Sequence, residues 1–304
     1  MSTDRQRQAR RGLAVYLGVV ILLSGIVEGA ILWLGGGIGE HGLLVLALMW
    51  SPAVAMVVAR LVLREGIRDV SFRLGLRDGG WREYLIAWLY AAVLGGLAYG
   101  IGWASGLVPF AVPSGPMKSV AEVAGPIGAL FASLGMSLTL ITALSAITAT
   151  GEELGWRGYM LTRLIDAGVP RPLLVSGVIW GLWHAPLILS GQYASGPYPV
   201  LSVICFVVSI TATSYVFARV RLTTGSVWSA ALFHASWNAV IQATYDEFVP
   251  GHDAAHAGNI SVGESGILVV VAEVIFALVL VARPFRVKRA PADEATETMS
   301  IANG

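Results

Sequence analysis

Apolar residues in this chain come in long unbroken runs, without the short alternation of a half-buried strand or the one-sided stripe of a surface helix. The runs approach the roughly 20 residues that a helix needs to cross the hydrocarbon core of a bilayer. Scanning at that length predicts eight spans, at about 12–34, 42–63, 83–104, 132–160, 172–190, 199–218, 226–245 and 266–283. The predicted fold class is all-α, a polytopic membrane protein with about eight transmembrane helices. Residues 1–289 read as a single transmembrane helical domain and 290–304, small and polar, as a disordered cytoplasmic tail. The connection 64–82 is expected to hold a short interfacial helix, because "WREYLIAW" stands at its exit. Gly96, Gly100, Gly102 and Gly106 form a small-xxx-small pattern expected to let helices approach closely.

Polar residues in the connections set the orientation. Arg5, Arg7, Arg10 and Arg11 precede the first span, and the next connection, "GGGIGEH", has neither Lys nor Arg. Arg64, Arg68, Arg73, Arg77 and Arg82 fill the following one, which is succeeded by a connection with Lys118 alone. Arg163 and Arg171 come next, then the uncharged "SGQYASGPYP", then Arg219 and Arg221, then the acidic "YDEFVPGHDAAHAGNISVGE". Arg283, Arg286, Lys288 and Arg289 close the last span. Basic and non-basic connections thus alternate as the positive-inside rule requires, which predicts both termini to be cytoplasmic. The first apolar run is too long for a secretory h-region of about 7–15 residues and is read as a retained transmembrane helix. "LGGGIGE" looks like part of a nucleotide loop, but it joins two spans and not a strand to a helix, so that reading is discarded.

Composition agrees: 56% of the 304 residues are hydrophobic and 13% charged, with a mean hydropathy of +0.71, where soluble chains carry about a quarter charged residues. A soluble protein is excluded, and nothing suggests a nucleic-acid partner. Cys205 is the single cysteine and lies in an apolar run, which excludes a disulfide framework or cysteine-rich metal site and marks it as a packing residue.

Ionisable groups inside spans are costly and face a protein interior or a wet cavity, so each is a candidate site residue. They are Glu28, Glu152, Glu153, Arg157, His184, His234 and Glu273, with Asn238 as a neutral companion. Counting from the cytoplasmic end of each span places His234 about 12 Å deep and His184 and Glu152 about 18 Å deep. Three helices bring polar groups to one level, which predicts a single buried site opening toward the cytoplasm. Glu153 and Arg157 stand at i, i+4 with the acid first, the favourable order for an ion pair, so Glu153 is expected to be neutralised and structural. Glu152 projects about 100° away around the helix and has Trp156, read as an apolar neighbour, at its i+4 position. It is the freer carboxylate. His234 and Asn238, also at i, i+4, can present two N–H donors from one face toward an oxyanion.

Bland readings exist for each residue. Thr150 to Glu153 fits a capping box after a break at Gly151; either histidine taken singly, or Asn238, can be a helix-to-helix hydrogen bonder; Glu28 and Glu273 lack a motif and are expected to be paired or to line a cavity. The joint occurrence of Glu152, His184, His234 and Asn238 favours a site.

"EELGWR", Glu152 to Arg157, resembles the EExxxR motif of the CPBP intramembrane proteases, the family of the CAAX prenyl endopeptidases and the Abi-type proteins. "WGLWH", ending in His184, is similar to the second family motif, FxxxH, with Trp180 in place of Phe, and "HASWN", His234 to Asn238, matches the third, HxxxN. The matched core covers about 132–242; the first 130 residues show no motif of the family. The resemblance implies a metal-independent glutamate endopeptidase without cofactor. Glu152 would be the general base that activates water, His184 would hold and polarise that water, His234 and Asn238 would form the oxyanion hole, and Glu153 and Arg157 would brace the site. The implied partners are the bilayer and a peptide, a small membrane protein or a prenylated chain, and the implied location is a bacterial inner membrane. Trp180 is expected to alter pocket packing without loss of chemistry. Three other readings are kept: zinc held by Glu152, His184 and His234, against which no HExxH is present; a proton-coupled transporter, against which there is no inverted repeat; and a non-catalytic scaffold or immunity-type protein of the same fold.

Overall fold

The computed structural model describes residues 3–251 and 259–282, and among them all regular structure is helical. Helices α1 (Thr3–Leu34), α2 (Gly42–Leu63), α3 (Gly80–Ala104), α4 (Pro116–Met136), α5 (Thr142–Gly155), α6 (Leu161–Asp166), α7 (Pro172–Trp183), α8 (Ala185–Leu189), α9 (Pro199–Thr224), α10 (Val227–Val240) and α11 (Ile267–Val281) follow in order. Each predicted span is occupied by helix. Among the described residues five stretches are long and apolar enough to cross a membrane: α1, α2, α3, the continuous run Pro116–Asp166, and α9. Helices α7 and α11 are shorter apolar ones. Large apolar side chains such as Ile21, Leu43, Leu61 and Val123 stand on the outside, where only lipid can cover a patch of this extent. The chain is a polytopic all-α membrane protein.

Helix α10 is the centre of the bundle, packed by α5, α3 and α9. Its residues are buried on every side, Phe233, Ala235, Trp237 and Ala239 among them, as expected of a helix with no polar face. Around it α2 packs on α1 and α5, α7 on α9, and α11 on α3 and α9. Lipid tails are as apolar as leucine, so close packing and hydrogen bonds do the work of holding such helices together. Ser24 and Ser51 join α1 to α2 at 2.9 Å, and Ser209 and Thr213 of α9 donate to Glu273 of α11. Glu273 is therefore a paired structural residue, one of the roles expected for it. Glu28 is buried without a partner among the described residues.

Close approach beside the "EELG" segment depends on two glycines. A Cβ on Gly151 would come within 2.7 Å of the Met49 carbonyl oxygen, and one on Gly155 would collide with Pro52. These glycines let α5 press against α2. Gly155→Ala should cost about 1–3 kcal/mol of stability through overpacking, visible as a lower melting temperature in detergent. In α3 the tight positions include Gly80, against the Gly75 carbonyl, Gly95, against Tyr245, and Gly102, against Val108. Of the expected small-xxx-small pattern, Gly102 and Gly96, whose Cβ would lie 3.2 Å from the Tyr245 hydroxyl, are close-approach positions, whereas a Cβ on Gly100 or Gly106 would meet nothing, so the pattern serves as a contact only in part.

Other sequence expectations are corrected as well. The fourth span starts at Pro116 and not near 132, with a kink at Gly125 (φ 75) before Pro126; a proline at the first helical position and a tolerant glycine allow this. The interfacial helix expected in 64–82 is a single 3-10 turn, Arg68–Val70, and "WREYLIAW" is already α3. No helix break follows Gly151: Thr150 Oγ1 bonds back to Ala146 within α5, which removes the capping-box reading. The fifth span does break, because Pro186 has no N–H for the Leu182 carbonyl. His184 sits in that break, its N–H turned to Gly181 at 3.2 Å. Wide π turns occur at Ser137–Ile141, Trp156–Met160 and Ile241–Tyr245. The second overlaps the end of the first motif at Trp156 and Arg157, the third begins three residues beyond Asn238 of the third motif, and such turns gather at functional sites. The expected tail 290–304 and Arg283, Arg286, Lys288 and Arg289 lie outside the described residues.

Candidate active site

Glu152, His184, His234 and Asn238, from α5, the α7–α8 break and α10, line one cavity of about 220 Å³. Its remaining walls include Ile38, Val45, Leu48, Leu187, Tyr193 and Gln242.

Glu152 is fixed by two indoles. Trp180 Nε1 donates to Glu152 Oε2 at 2.8 Å and Trp156 Nε1 to the same oxygen at 3.3 Å. Oε1 has no protein partner among the described residues, and the carboxylate lines the cavity. Trp156 is thus a donor as well as an apolar neighbour, a correction that the indole N–H could have signalled, since a buried Trp needs an acceptor. Trp180, where the second motif has Phe, adds a hydrogen bond that a phenyl ring cannot make. Trp180→Phe should keep the fold and lower the melting temperature in detergent by the loss of one hydrogen bond to a charged group, about 1.5–3 kcal/mol.

Glu153 lies behind this surface, fully buried. Its Oε1 receives Arg157 Nη1 at 2.8 Å and His234 Nδ1 at 3.0 Å. Arg157 also donates to Ser214 at 3.1 Å, and its guanidinium lies 4.0 Å from the Trp180 ring centre and 4.4 Å from that of Phe217. The pairing of Glu153 with Arg157 is as the i, i+4 spacing predicts; the second bond, to His234, was not visible in the spacing.

Hydrogen-bond partners fix the two imidazoles differently. His184 Nδ1 lies 2.9 Å from the Trp180 carbonyl oxygen. A carbonyl only accepts, so the proton is on Nδ1 and Nε2 carries a lone pair. His234 Nδ1 faces an ionised carboxylate and must also bear a proton; for its Nε2 to donate as well, the ring must be an imidazolium. Glu152, Glu153, Arg157 and that imidazolium then have cancelling formal charges, the condition under which burying four of them is tolerable. The Asn238 side chain makes no hydrogen bond to any described residue, and Asn238 lines the cavity.

Tyr193 stacks on His184, with ring centres 5.6 Å apart and 26° between planes. Burial and the Glu264 carboxylate beside it hold the Tyr193 hydroxyl well above the usual phenol range, so it remains a donor to that carboxylate. Tyr193, Gln242 and Glu264 carried no motif in the sequence.

The direction of access reverses an expectation. Ile38 and Gly39 belong to the α1–α2 connection and Tyr193 to the α8–α9 connection, both without Lys or Arg. Toward the basic end the site is closed by Trp156, Arg157 and Met160, all fully buried. The cavity therefore extends toward the non-basic end, not the end predicted to be cytoplasmic. Glu28 does not line it. Among the described residues no three His, Cys, Asp or Glu side chains are grouped as a metal site needs. Nδ1 of both histidines has a partner, the Trp180 carbonyl for His184 and the Glu153 carboxylate for His234, which leaves Nε2 of each ring as the nitrogen without one.

Comparison with known proteins bears on the same region. The family model described as type II CAAX prenyl endopeptidase Rce1-like matches residues 133–240, close to the interval that carries the three motifs. CAAX prenyl protease 2 of Methanococcus maripaludis is 44% identical over 46 residues, which cover 15% of this chain and 17% of that protein.

Proposed function

Through its Rce1-like domain the chain belongs to the CPBP/CAAX protease family, and from that premise we propose that it is an intramembrane endopeptidase that cleaves peptide bonds with a glutamate-activated water. The observation that carries this reading is the convergence of Glu152, His184, His234 and Asn238 on one cavity.

In this mechanism water lies between Glu152 Oε1 and His184 Nε2, two acceptors that orient its lone pair toward the scissile carbonyl carbon. Glu152 takes one proton as the oxygen attacks. The carbonyl oxygen becomes an oxyanion, which receives the Asn238 amide N–H and the His234 Nε2–H. Collapse of the tetrahedral intermediate breaks the C–N bond, and Glu152 returns its proton to the leaving amine. Glu153 acts from behind, holding His234 in place through Nδ1, and Arg157 fixes Glu153. The substrate is a membrane-associated or lipidated polypeptide that reaches the site within the bilayer.

The test is cleavage of an internally quenched peptide library by the purified protein in detergent, with and without chelator. Cleavage that survives chelator supports the reading; a library left intact under conditions where the protein is folded favours the scaffold reading instead, and cleavage abolished by chelator favours zinc at Glu152, His184 and His234.

A further inference from the structure

Gln242 takes no part in the hydrolysis proposed for Glu152, yet its amide is rigidly framed. It lies in the π turn after α10, four residues beyond Asn238, and both side chains line the cavity. Gln242 Nε2 donates to Tyr193 Oη at 3.2 Å and to Glu264 Oε2 at 3.2 Å. Tyr193 donates its own hydroxyl to the same carboxylate, and Trp237 Nε1 reaches Glu264 Oε1 at 2.7 Å. Glu264, in the connection before α11, is only 6% exposed. One buried carboxylate thus ties together α10, its π turn and the α8–α9 connection.

A primary amide has two N–H donors and one carbonyl acceptor. Both donors of Gln242 are engaged, so the group left for whatever occupies the cavity is its carbonyl, Oε1. Spacing suits a peptide. Four residues along a helix advance about 6 Å, close to the roughly 6.6 Å that two residues of an extended chain advance. A strand laid along α10 with its scissile carbonyl at His234 and Asn238 brings a main-chain N–H near Gln242. Across the cavity Val45, Leu48 and Leu187 offer an apolar wall to its side chains.

We propose that Gln242 Oε1 accepts a main-chain N–H of the bound peptide about two residues from the scissile bond, with Glu264 and Tyr193 as positioning residues that aim it. The row His234, Asn238, Gln242 then reads peptide backbone from the catalytic level toward the cavity mouth. This assignment rests on the peptidase reading of the cavity.

The experiment uses the full-length protein and a peptide that wild type cleaves. Gln242→Met, similar in size but without hydrogen bonds, should raise KM roughly tenfold, the upper range for one neutral hydrogen bond, with kcat within about twofold. A scan of the peptide with N-methylated amides supplies a readout that simple loosening does not move. One position should lose affinity with wild type and lose almost nothing more with Gln242→Met, the non-additivity of two partners in one bond. If Gln242→Met does not fold, Tyr193→Phe, which removes only the hydroxyl that steadies the amide, should still raise KM about two- to fivefold. Equal N-methyl losses in both proteins at every position, or a fall in kcat at unchanged KM, overturns the assignment of Gln242 and leaves the peptidase reading intact. Wild type that cleaves no peptide, or Glu152→Gln that cleaves as well as wild type, defeats the peptidase reading and the Gln242 assignment with it.

Discussion

Glu152→Gln is expected to lower kcat by about 10²–10⁴-fold on any peptide that wild type cleaves, the contribution of a placed general base. An amide cannot take the proton of the attacking water. The fold should tolerate the change, because the new carbonyl can still accept from Trp180, now 2.8 Å from Oε2, and from Trp156. Glu153 and Arg157, the buried pair behind it, are untouched. Steady-state kinetics and a thermal melt on the same preparation check both halves. Activity within a factor of a few of wild type would mean that the base lies elsewhere.

Arg157→Met should be the most damaging substitution for stability, costing about 3–5 kcal/mol, the scale for breaking a buried ion pair by removal of one partner. Arg157 is fully buried, pairs with Glu153 at 2.8 Å and lies between the rings of Trp180 and Phe217. Without it Glu153 keeps His234 alone among its charged partners. The double variant Glu153→Gln, Arg157→Met removes the stranded charge as well and should recover a large part of the loss, since replacing both members of a buried pair is far milder than replacing one. Folded yield and melting temperature of the single and double variants measure this directly; a single variant that melts like wild type would mean that the pair does not brace the site.

Much of this architecture was legible in the sequence. Spans were readable because lipid forces the backbone to satisfy its own hydrogen bonds, so length of an apolar run is nearly a structural statement. Glu152, His184, His234 and Asn238 could be singled out because a polar group inside a span is costly wherever it has no purpose. Their supports were harder to see. Trp180 and Trp156 count as apolar in any hydropathy scan, and their N–H groups matter only once a carboxylate is known to face them. Glu264 stands in a polar connection where acids are ordinary, and only the return of that connection into the bundle places it against Tyr193, Trp237 and Gln242. The direction of access was misread for a related reason. Depth counted along single helices fixes the level of the site but not which neighbours close it, and Trp156, Arg157 and Met160 close the basic end.

The central claim is that water, and not Glu152 itself, attacks the substrate carbonyl. Single-turnover cleavage in H2(18O), followed by mass spectrometry of product and protein, tests it most directly. Water activated by Glu152 places one heavy oxygen in the new product carboxylate in the first turnover and leaves Glu152 unlabelled. An unlabelled first product, with the heavy oxygen found in the Glu152 side chain, would show nucleophilic attack by the carboxylate and contradict the account.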